Sequence, residues 1–414
     1  MTSRAVRARG KCRCGAATGR EGRIRYARLN SALIRRVNTV KLFHALREHP
    51  GISQRRLGAL AEVDAATVSI IVAQLEAAGI VQRSHARRSG RAGRPATALA
   101  IAAAGGVLVG VSVEPDVIRL LATGLDGSRR AMIEVAGSVA IDAAIAALEA
   151  GLALLIEGLA ADGGTIRGIG VCLPGLVDPT GRLVFAPNLG WRDVAFGERL
   201  ARLRLPVRVD NDSKAAALAE HLFGVCRGVR DFVYVNGHSG IGGGLHMSGE
   251  LYRGPSGLAG ELGHMKIVPE GRPCGCGGRG CFEAYASERA IRAELAAAGC
   301  HLPTLAAISA AAAAGDEVVC GVLDEAGRHL GRALANVINI LSPCRVVLAG
   351  VLAELAPHLL PATRAALERD VLAAIWRQSE LVVSTLGQDA VAMGGIALAM
   401  QDFLDPPRPA EDGR

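Results

Sequence analysis

The sequence predicts an α/β chain of two unlike parts: a basic winged helix-turn-helix followed by a larger body of alternating strands and helices. Three observations predict it. Charge is split, with 20 Lys and Arg against 5 Asp and Glu in residues 1–100 and 27 against 34 thereafter. Apolar residues between 33 and 75 recur at three- and four-residue steps, the period of helices buried on one face. Beyond Gly105-Gly106, β-branched runs alternate with Ala/Leu-rich helical stretches, the pattern of a layered α/β body.

The elements follow in order. Leu33, Val37, Val40, Phe43 and Leu46 mark the first helix, ended by Pro50-Gly51. Ser53 is a candidate N-cap for a second helix with Leu57 and Leu60 facing the core. Asp64 is a candidate N-cap for a third, with Val68, Ile71, Val72 and Leu75 inward and its end at Gly79. Extended runs at 80–83 and Thr97–Ile101 flank an Arg/Gly loop, which makes a basic hairpin or wing. Strands are then expected at Val107–Val113, 117–123, up to about Ala136, Ile166–Leu173, 207–209, 232–236 and 345–349. Helices are expected at 140–160, 213–223 and 390–403, and most of the Gly, Pro and Cys fall in a long loop at 253–282.

Bulk properties limit the function classes. The 414 residues are enough for two or three domains, and half are hydrophobic, so a sizeable core is available. The apolar stretches are broken by Gly, Arg or Asp, so no segment reads as a membrane span. The Arg-rich start lacks the apolar stretch of a secretion signal, and residues 1–28 read as a basic disordered tail. A cytoplasmic location follows. There the ten cysteines suggest metal before disulfides, because several are clustered.

A basic front end on an acidic body points to a polyanion partner at one end only. The third helix presents Thr67, Ser69 and Gln74, short hydroxyl and amide side chains suited to base edges in a major groove. Arg55 and Arg56 begin the second helix, within reach of phosphates. Arg87, Arg88, Arg91 and Arg94 lie on the wing, where an Arg/Gly strip suits a minor groove. A helical protein-interaction module with a solvated hairpin is the competing reading. Charge excess, helix pattern and hairpin together favour operator DNA.

His264, Cys274, Cys276 and Cys281 form a Cys₃His set, the donor chemistry of a tetrahedral zinc. Cysteines in so Gly-rich a loop are unusual as hydrophobic core. Four protein donors leave no open position, so the site reads as structural. Polyol ligands need carboxylates and amides placed for neighbouring hydroxyls. Asn188, Asn211, Asp212, Glu261 and Glu283 are candidates near Gly turns, although Asp212 could simply cap the helix at 213. Glu261 and Glu283 flank the proposed zinc loop.

These stretches resemble the ROK family, which groups sugar kinases with sugar-responsive repressors. The resemblance rests on Gly-Ile-Gly-Val-Cys-Leu-Pro-Gly (168–175), Ala-Pro-Asn-Leu-Gly-Trp (186–191), the segment 209–220, Ser-Gly-Ile-Gly-Gly-Gly (239–244), Gly-Glu-Leu-Gly-His (260–264) and Cys-Gly-Cys-Gly-Gly-Arg-Gly-Cys-Phe-Glu (274–283). In the N-terminal module, Ala-Thr-Val-Ser (66–69) and Gly-Arg-Ala-Gly-Arg-Pro (90–95) are similar to the repressor branch. The resemblance implies a two-lobed actin/hexokinase-like (ribonuclease H-like) fold with a sugar in the cleft. It implies a DNA-binding domain at 29–104, a first lobe at 105–225 completed by a helix at 390–404, a second lobe with the zinc loop at 226–389, and a tail at 405–414. It also implies that Asn188, Asn211, Asp212, Glu261, His264 and Glu283 contact the sugar.

In the family's kinases the aspartate matched by Asp212 is the catalytic base, and an Asp-x-Gly-Gly-Thr-type loop holds the nucleotide phosphates. Here Ser112 stands where that loop has Asp, and Glu114 and Pro115 replace flexible glycine and donor groups. A carboxylate repels phosphate, and proline removes an N–H. The expectation is a regulator, with Asp212 a vestigial base. It would be a homodimer or homotetramer on operator DNA, controlled by a sugar or sugar phosphate. An ATP-dependent sugar kinase is the alternative.

Overall fold

In the computed structural model, which describes residues 31–85 and 97–405, three helices open the chain: Ser31–Glu48, Gln54–Ala61 and Ala65–Ala77. Ser53 Oγ accepts the Arg56 N–H at 3.4 Å and Asp64 Oδ1 accepts the Thr67 N–H at 2.9 Å, so both caps satisfy helix-start donors. Phe43, Leu46, Leu57, Val68, Ile71, Val72 and Leu75 are buried, and Leu42 joins them. Two expected core positions are corrected. Leu60 is 50% exposed because the buried face of its short helix is Leu57, Gly58 and Ala61, and Leu60 falls about 100° from its centre. Val37 is 47% exposed because the first half of its helix runs beyond the module core to border a cavity described below.

Strands Val81–His85 and Thr97–Ile101 pair antiparallel, and Ile52–Ser53 joins the other edge of Thr97–Ile101. The loop between them, with Arg87, Arg88, Arg91 and Arg94, lies outside the described residues, as do the tails at 1–28 and 406–414.

Two five-stranded sheets build the body. The first runs Val207–Asn211, Ile166–Leu173, Val107–Val113, Val117–Gly124, Arg129–Ala136. The second runs Glu250–Tyr252, Ile241–Met247, Phe232–Gly237, Arg345–Gly350, Glu380–Val383. Each has an antiparallel three-strand run followed by two parallel strands on the other side of its first strand. The two lobes therefore repeat one topology, which the sequence does not display as a repeat.

Two helices sit between the sheets. We call Asp212–Leu222 the hinge helix, since it joins the last strand of the first sheet to the first strand of the second. The terminal helix, Ala390–Leu404, returns from the second lobe to the first. Its Gly395 meets Gly110 and Gly170 so closely that a Cβ at Gly110 would lie 1.9 Å from the Ala392 carbonyl oxygen. Glycine at 110 and 170 is thus a packing requirement. Gly394 does the same against the hinge helix, where a Cβ would come within 2.4 Å of the Ala215 backbone.

One expectation about apolar length is corrected. By length and composition, helix Ile141–Ala161 could cross a membrane. In the fold its Ala144, Ile145, Leu148, Leu152, Leu155 and Leu159 face is buried with the first sheet, while Asp142, Glu149 and Glu157 face solvent. Core packing accounts for its composition.

Candidate functional site

The hinge helix begins in a cleft. Strand Val207–Asn211 runs directly into it, with Asn211 as N-cap: Asn211 Oδ1 accepts the Lys214 N–H at 3.0 Å. Asp212 is the first helical residue and not the cap, contrary to the simpler sequence alternative. Its Oδ1 accepts the Ser213 N–H at 2.6 Å and an Asn211 Nδ2 hydrogen at 3.0 Å. The other Asn211 Nδ2 hydrogen goes to the Gly175 carbonyl at 2.9 Å. Both amide hydrogens are therefore used, and only one lone pair of Oδ1 remains for a ligand. Asn211 positions Asp212 more than it offers contacts of its own.

A cavity of about 280 Å³ opens at this point, and Asn188, Asn211, Asp212, Glu261, His264 and Glu283 all line it. Gly240 keeps it open: a Cβ there would lie 2.3 Å from Glu283 Oε2 and 2.7 Å from Asn188 Nδ2. Glu283 is 3% exposed; its Oε2 accepts the Ile241 N–H at 3.1 Å and its Oε1 lies 3.2 Å from Arg289 Nη2. Burial raises the Asp212 carboxyl above the ordinary range, opposed by the Ser213 N–H and His238 and reinforced by Glu114. Burial likewise raises Glu261, opposed by Lys214 and reinforced by Asp212 and Glu283. Three carboxyl groups thus face a small cleft, an arrangement that hydroxyl donors relieve.

Asn236 and His238 also line the cavity, and Lys214 and Arg289 stand beside its carboxylates; none of the four is among the residues expected from the sequence. Lys214 is buried and donates to the Gly257 carbonyl at 2.7 Å, beside Glu261. Its place two residues after Asp212, in the first turn of the hinge helix, was the available signal. Arg289 pairs with Glu283 from six residues on, a spacing that carries no cue.

The Cys₃His set is assembled. The ligand atoms of His264, Cys274, Cys276 and Cys281 all lie within 4.8 Å of one another. Cys274 Sγ is 3.7 Å from His264 Nδ1, and Cys276 Sγ is 3.7 Å from Cys281 Sγ. A tetrahedron with zinc–sulfur bonds of 2.3 Å has edges of about 3.8 Å, so the donors fit that ion. Lys266 Nζ stands 2.7 Å from Cys281 Sγ, which sets a cation beside the donor set. Glu283 follows the loop as the first residue of helix Glu283–Ala286, and Cys274 Sγ lies 3.7 Å from Glu283 Oε1.

At the end of strand Val107–Val113, Ser112 is fully buried and donates to Glu114 Oε1 at 2.9 Å. Arg119 Nη1 donates to the same oxygen at 2.9 Å, and Arg119 Nε bonds Glu134 at 2.8 Å. The segment is occupied by its own ion-paired network.

On the N-terminal module, Arg55, Arg56, Ser69 and Gln74 are exposed, whereas Thr67 is half-buried at the Asp64 cap. Ile70, half exposed on the same helix, presents an apolar group beside Ser69; a thymine methyl is a suitable partner for such a group.

Known proteins agree with this architecture. The ROK family pattern matches residues 116–402, and the MarR family pattern matches residues 38–92. The xylose repressor of Bacillus subtilis is 30% identical over 387 residues, covering 91% of this chain and 98% of that protein. The crystal structure of a ROK family transcriptional regulator, a homologue of the E. coli MLC protein, superposes with a TM-score of 0.78 at 29% identity, covering 90% of this chain and 97% of that one. A ROK family glucokinase from Streptomyces griseus, solved with glucose and AMPPNP, gives a TM-score of 0.63 at 30% identity, covering 72% of this chain and all of that one. With a kinase-like two-lobed body, a cleft of carboxylates and a Cys₃His loop, this chain is a member of the ROK family.

Proposed function

We propose that this protein is a sugar-responsive transcription repressor of carbohydrate genes, acting in the cytoplasm as a dimer or tetramer. The observation that carries the reading is the shared core. The helix-turn-helix residues Phe43, Leu46 and Leu99 form one buried cluster with Ala392, Ile396 and Met400 of the terminal helix. A DNA module and a ligand cleft in one packed body can exchange free energy. The end-to-end similarity to a xylose repressor supports the same reading.

In this reading Ser69, Gln74 and Thr67 read bases, Arg55 and Arg56 hold phosphates, and Arg87, Arg88, Arg91 and Arg94 extend the contact. A dimer would meet half-sites about 34 Å apart. Asn188, Asp212, Glu261, His264 and Glu283 take the sugar hydroxyls, with Asn211 orienting Asp212. Zinc held by His264, Cys274, Cys276 and Cys281 supplies rigidity to the loop that leads into Glu283. Pure carbohydrate kinase activity is the second reading, favoured by Asp212 at the cleft. Against it stands Glu114, a carboxylate beside the expected phosphate position. Phosphoryl transfer depends mainly on positioning and charge neutralisation, which this segment opposes.

Operator binding by the purified protein, with and without D-xylose or D-glucose, tests the reading. ATP-dependent phosphorylation of the same sugars, lost in Asp212→Asn, would transfer the assignment to a kinase.

A further inference from the structure

The N-terminal module touches the body where both lobes meet. Phe43 stacks edge-on against Phe403 of the terminal helix, with ring centroids 6.4 Å apart. Arg47 Nη2 donates to the Leu222 carbonyl at 2.7 Å, and its guanidinium lies 4.7 Å over the Phe223 ring. His44 faces His221, whose ring lies 4.1 Å from that of His246 on the second-lobe strand Ile241–Met247. One helix of the module thus meets the terminal helix, the hinge helix and the neighbourhood of the second-lobe sheet.

The hinge helix connects this junction to the cleft. Its first residue is Asp212 and its last is Leu222, about 15 Å along at 1.5 Å per residue. Residues 213–220 are all buried, so the body of the helix is held by its neighbours and moves with them. A displacement at Asp212 therefore reaches Leu222. There the carbonyl is one of the unpaired acceptors that end a helix, and a cation at that end also meets the favourable pole of the helix dipole. A cavity of about 520 Å³ borders the junction, lined by Lys41 and His44 from the module, Arg208 and Gln401 from the first lobe, and Gly249 and Glu250 from the second. The three bodies have room to shift there without breaking the core.

We propose that Arg47 is the positioning residue that couples the two functions: it clamps the DNA-binding module to the far end of the hinge helix, so that movement of Asp212 on sugar binding is delivered to the module. The inference rests on the repressor reading above. It requires that Arg47 contribute to neither binding event alone but to the linkage between them, which is reciprocal for any two coupled sites.

The test measures two affinities on the full-length protein: D-xylose or D-glucose by calorimetry, and a fragment of its own promoter by fluorescence anisotropy with and without saturating sugar. In the wild type, sugar weakens DNA binding about 5- to 150-fold. In Arg47→Met, sugar affinity stays within about threefold and sugar-free DNA affinity within about fivefold, but the response to sugar falls below about twofold. Arg47→Lys, which keeps a donor and a charge, recovers part of the response. A full response in Arg47→Met overturns the proposal. If Arg47→Met loses DNA binding altogether, Phe223→Leu, which removes only the ring beneath the guanidinium, is judged on the same ratio, and an undiminished response overturns the proposal. A wild type that binds neither sugar nor DNA overturns instead the repressor reading on which the inference depends.

Discussion

Glu283→Gln isolates the contribution of one carboxylate to the cleft. Glu283 is buried and spends its two oxygens separately, Oε2 on the Ile241 N–H at 3.1 Å and Oε1 beside Arg289 at 3.2 Å. Glutamine has the same shape but only one acceptor atom. If its oxygen keeps the Ile241 bond, its amino group faces the Arg289 cation; the opposite rotamer sets two donors against each other in a buried place. Arg289 is 52% exposed and can swing into solvent, so the first arrangement prevails. The stability cost is then about 1 kcal/mol, at the low end for an unsatisfied group. The cost to sugar binding is larger, because a hydrogen bond to a charged acceptor contributes about 1.5–3 kcal/mol. At 1.4 kcal/mol per decade, sugar affinity falls about 10- to 100-fold. Calorimetric titration with D-xylose and D-glucose measures this, and a thermal melt of the same sample reports the small stability change. A folded variant that binds sugar within about twofold of the wild type would refute the placement of Glu283 at the ligand.

Other outcomes follow from the metal loop and from the junction. Metal analysis of the folded chain is expected to find one zinc per chain; chelation should expose the 253–282 loop to protease and weaken sugar binding, with zinc restoring both, and a fully folded, sugar-binding protein without metal would contradict this. Burial, with Arg47 and His221 adding, pushes His44 down to about 3 from an ordinary 6.5. Its folded pKa is depressed, so its contribution is full above pH 6.5 and is lost as pH falls toward 3; down to pH 5 the loss is about 2 kcal/mol at 1.36 kcal/mol per unit. Asp212 and Glu261, raised by burial, act in the opposite sense, so the informative comparison is between the wild type and His44→Gln. Urea unfolding at pH 7 and pH 5 should show the smaller pH sensitivity in the variant, and equal sensitivity would place His44 outside the buried junction.

Much of the fold was legible because local rules and tertiary packing agree. Ser53 and Asp64 cap the helices they precede, and the Val68, Ile71, Val72 and Leu75 face is buried as its period implies. The strands at Val107–Val113 and Ile166–Leu173 are mostly apolar, broken only by Ser112 and Arg167, because the terminal helix and helix Ile141–Ala161 cover them. Leu60 and Val37 were misread because a period locates a face but not its edges, nor where a helix outruns its core. The duplicated topology of the two sheets was invisible, since strand order depends on pairings between distant segments. In the cleft, the Cys and His spacing was legible because metal chemistry restricts residue types. Lys214 and Arg289 were not, because a cation's role beside a carboxylate can be recognised only once the fold has placed the two together. Arg47 looked like one more basic residue in a basic segment. Its partner is a backbone carbonyl 175 positions away.

In the repressor reading, one packed body joins a DNA-binding module to a sugar cleft and makes each sensitive to the other. Fluorescence anisotropy of a labelled promoter fragment, titrated with the intact protein in the presence and absence of D-xylose or D-glucose, tests it most directly. Tight sugar-free binding should weaken about 5- to 150-fold when a cleft ligand is present. Promoter affinity that stays the same with sugar bound, or turnover of that sugar with ATP in place of a DNA response, would contradict it.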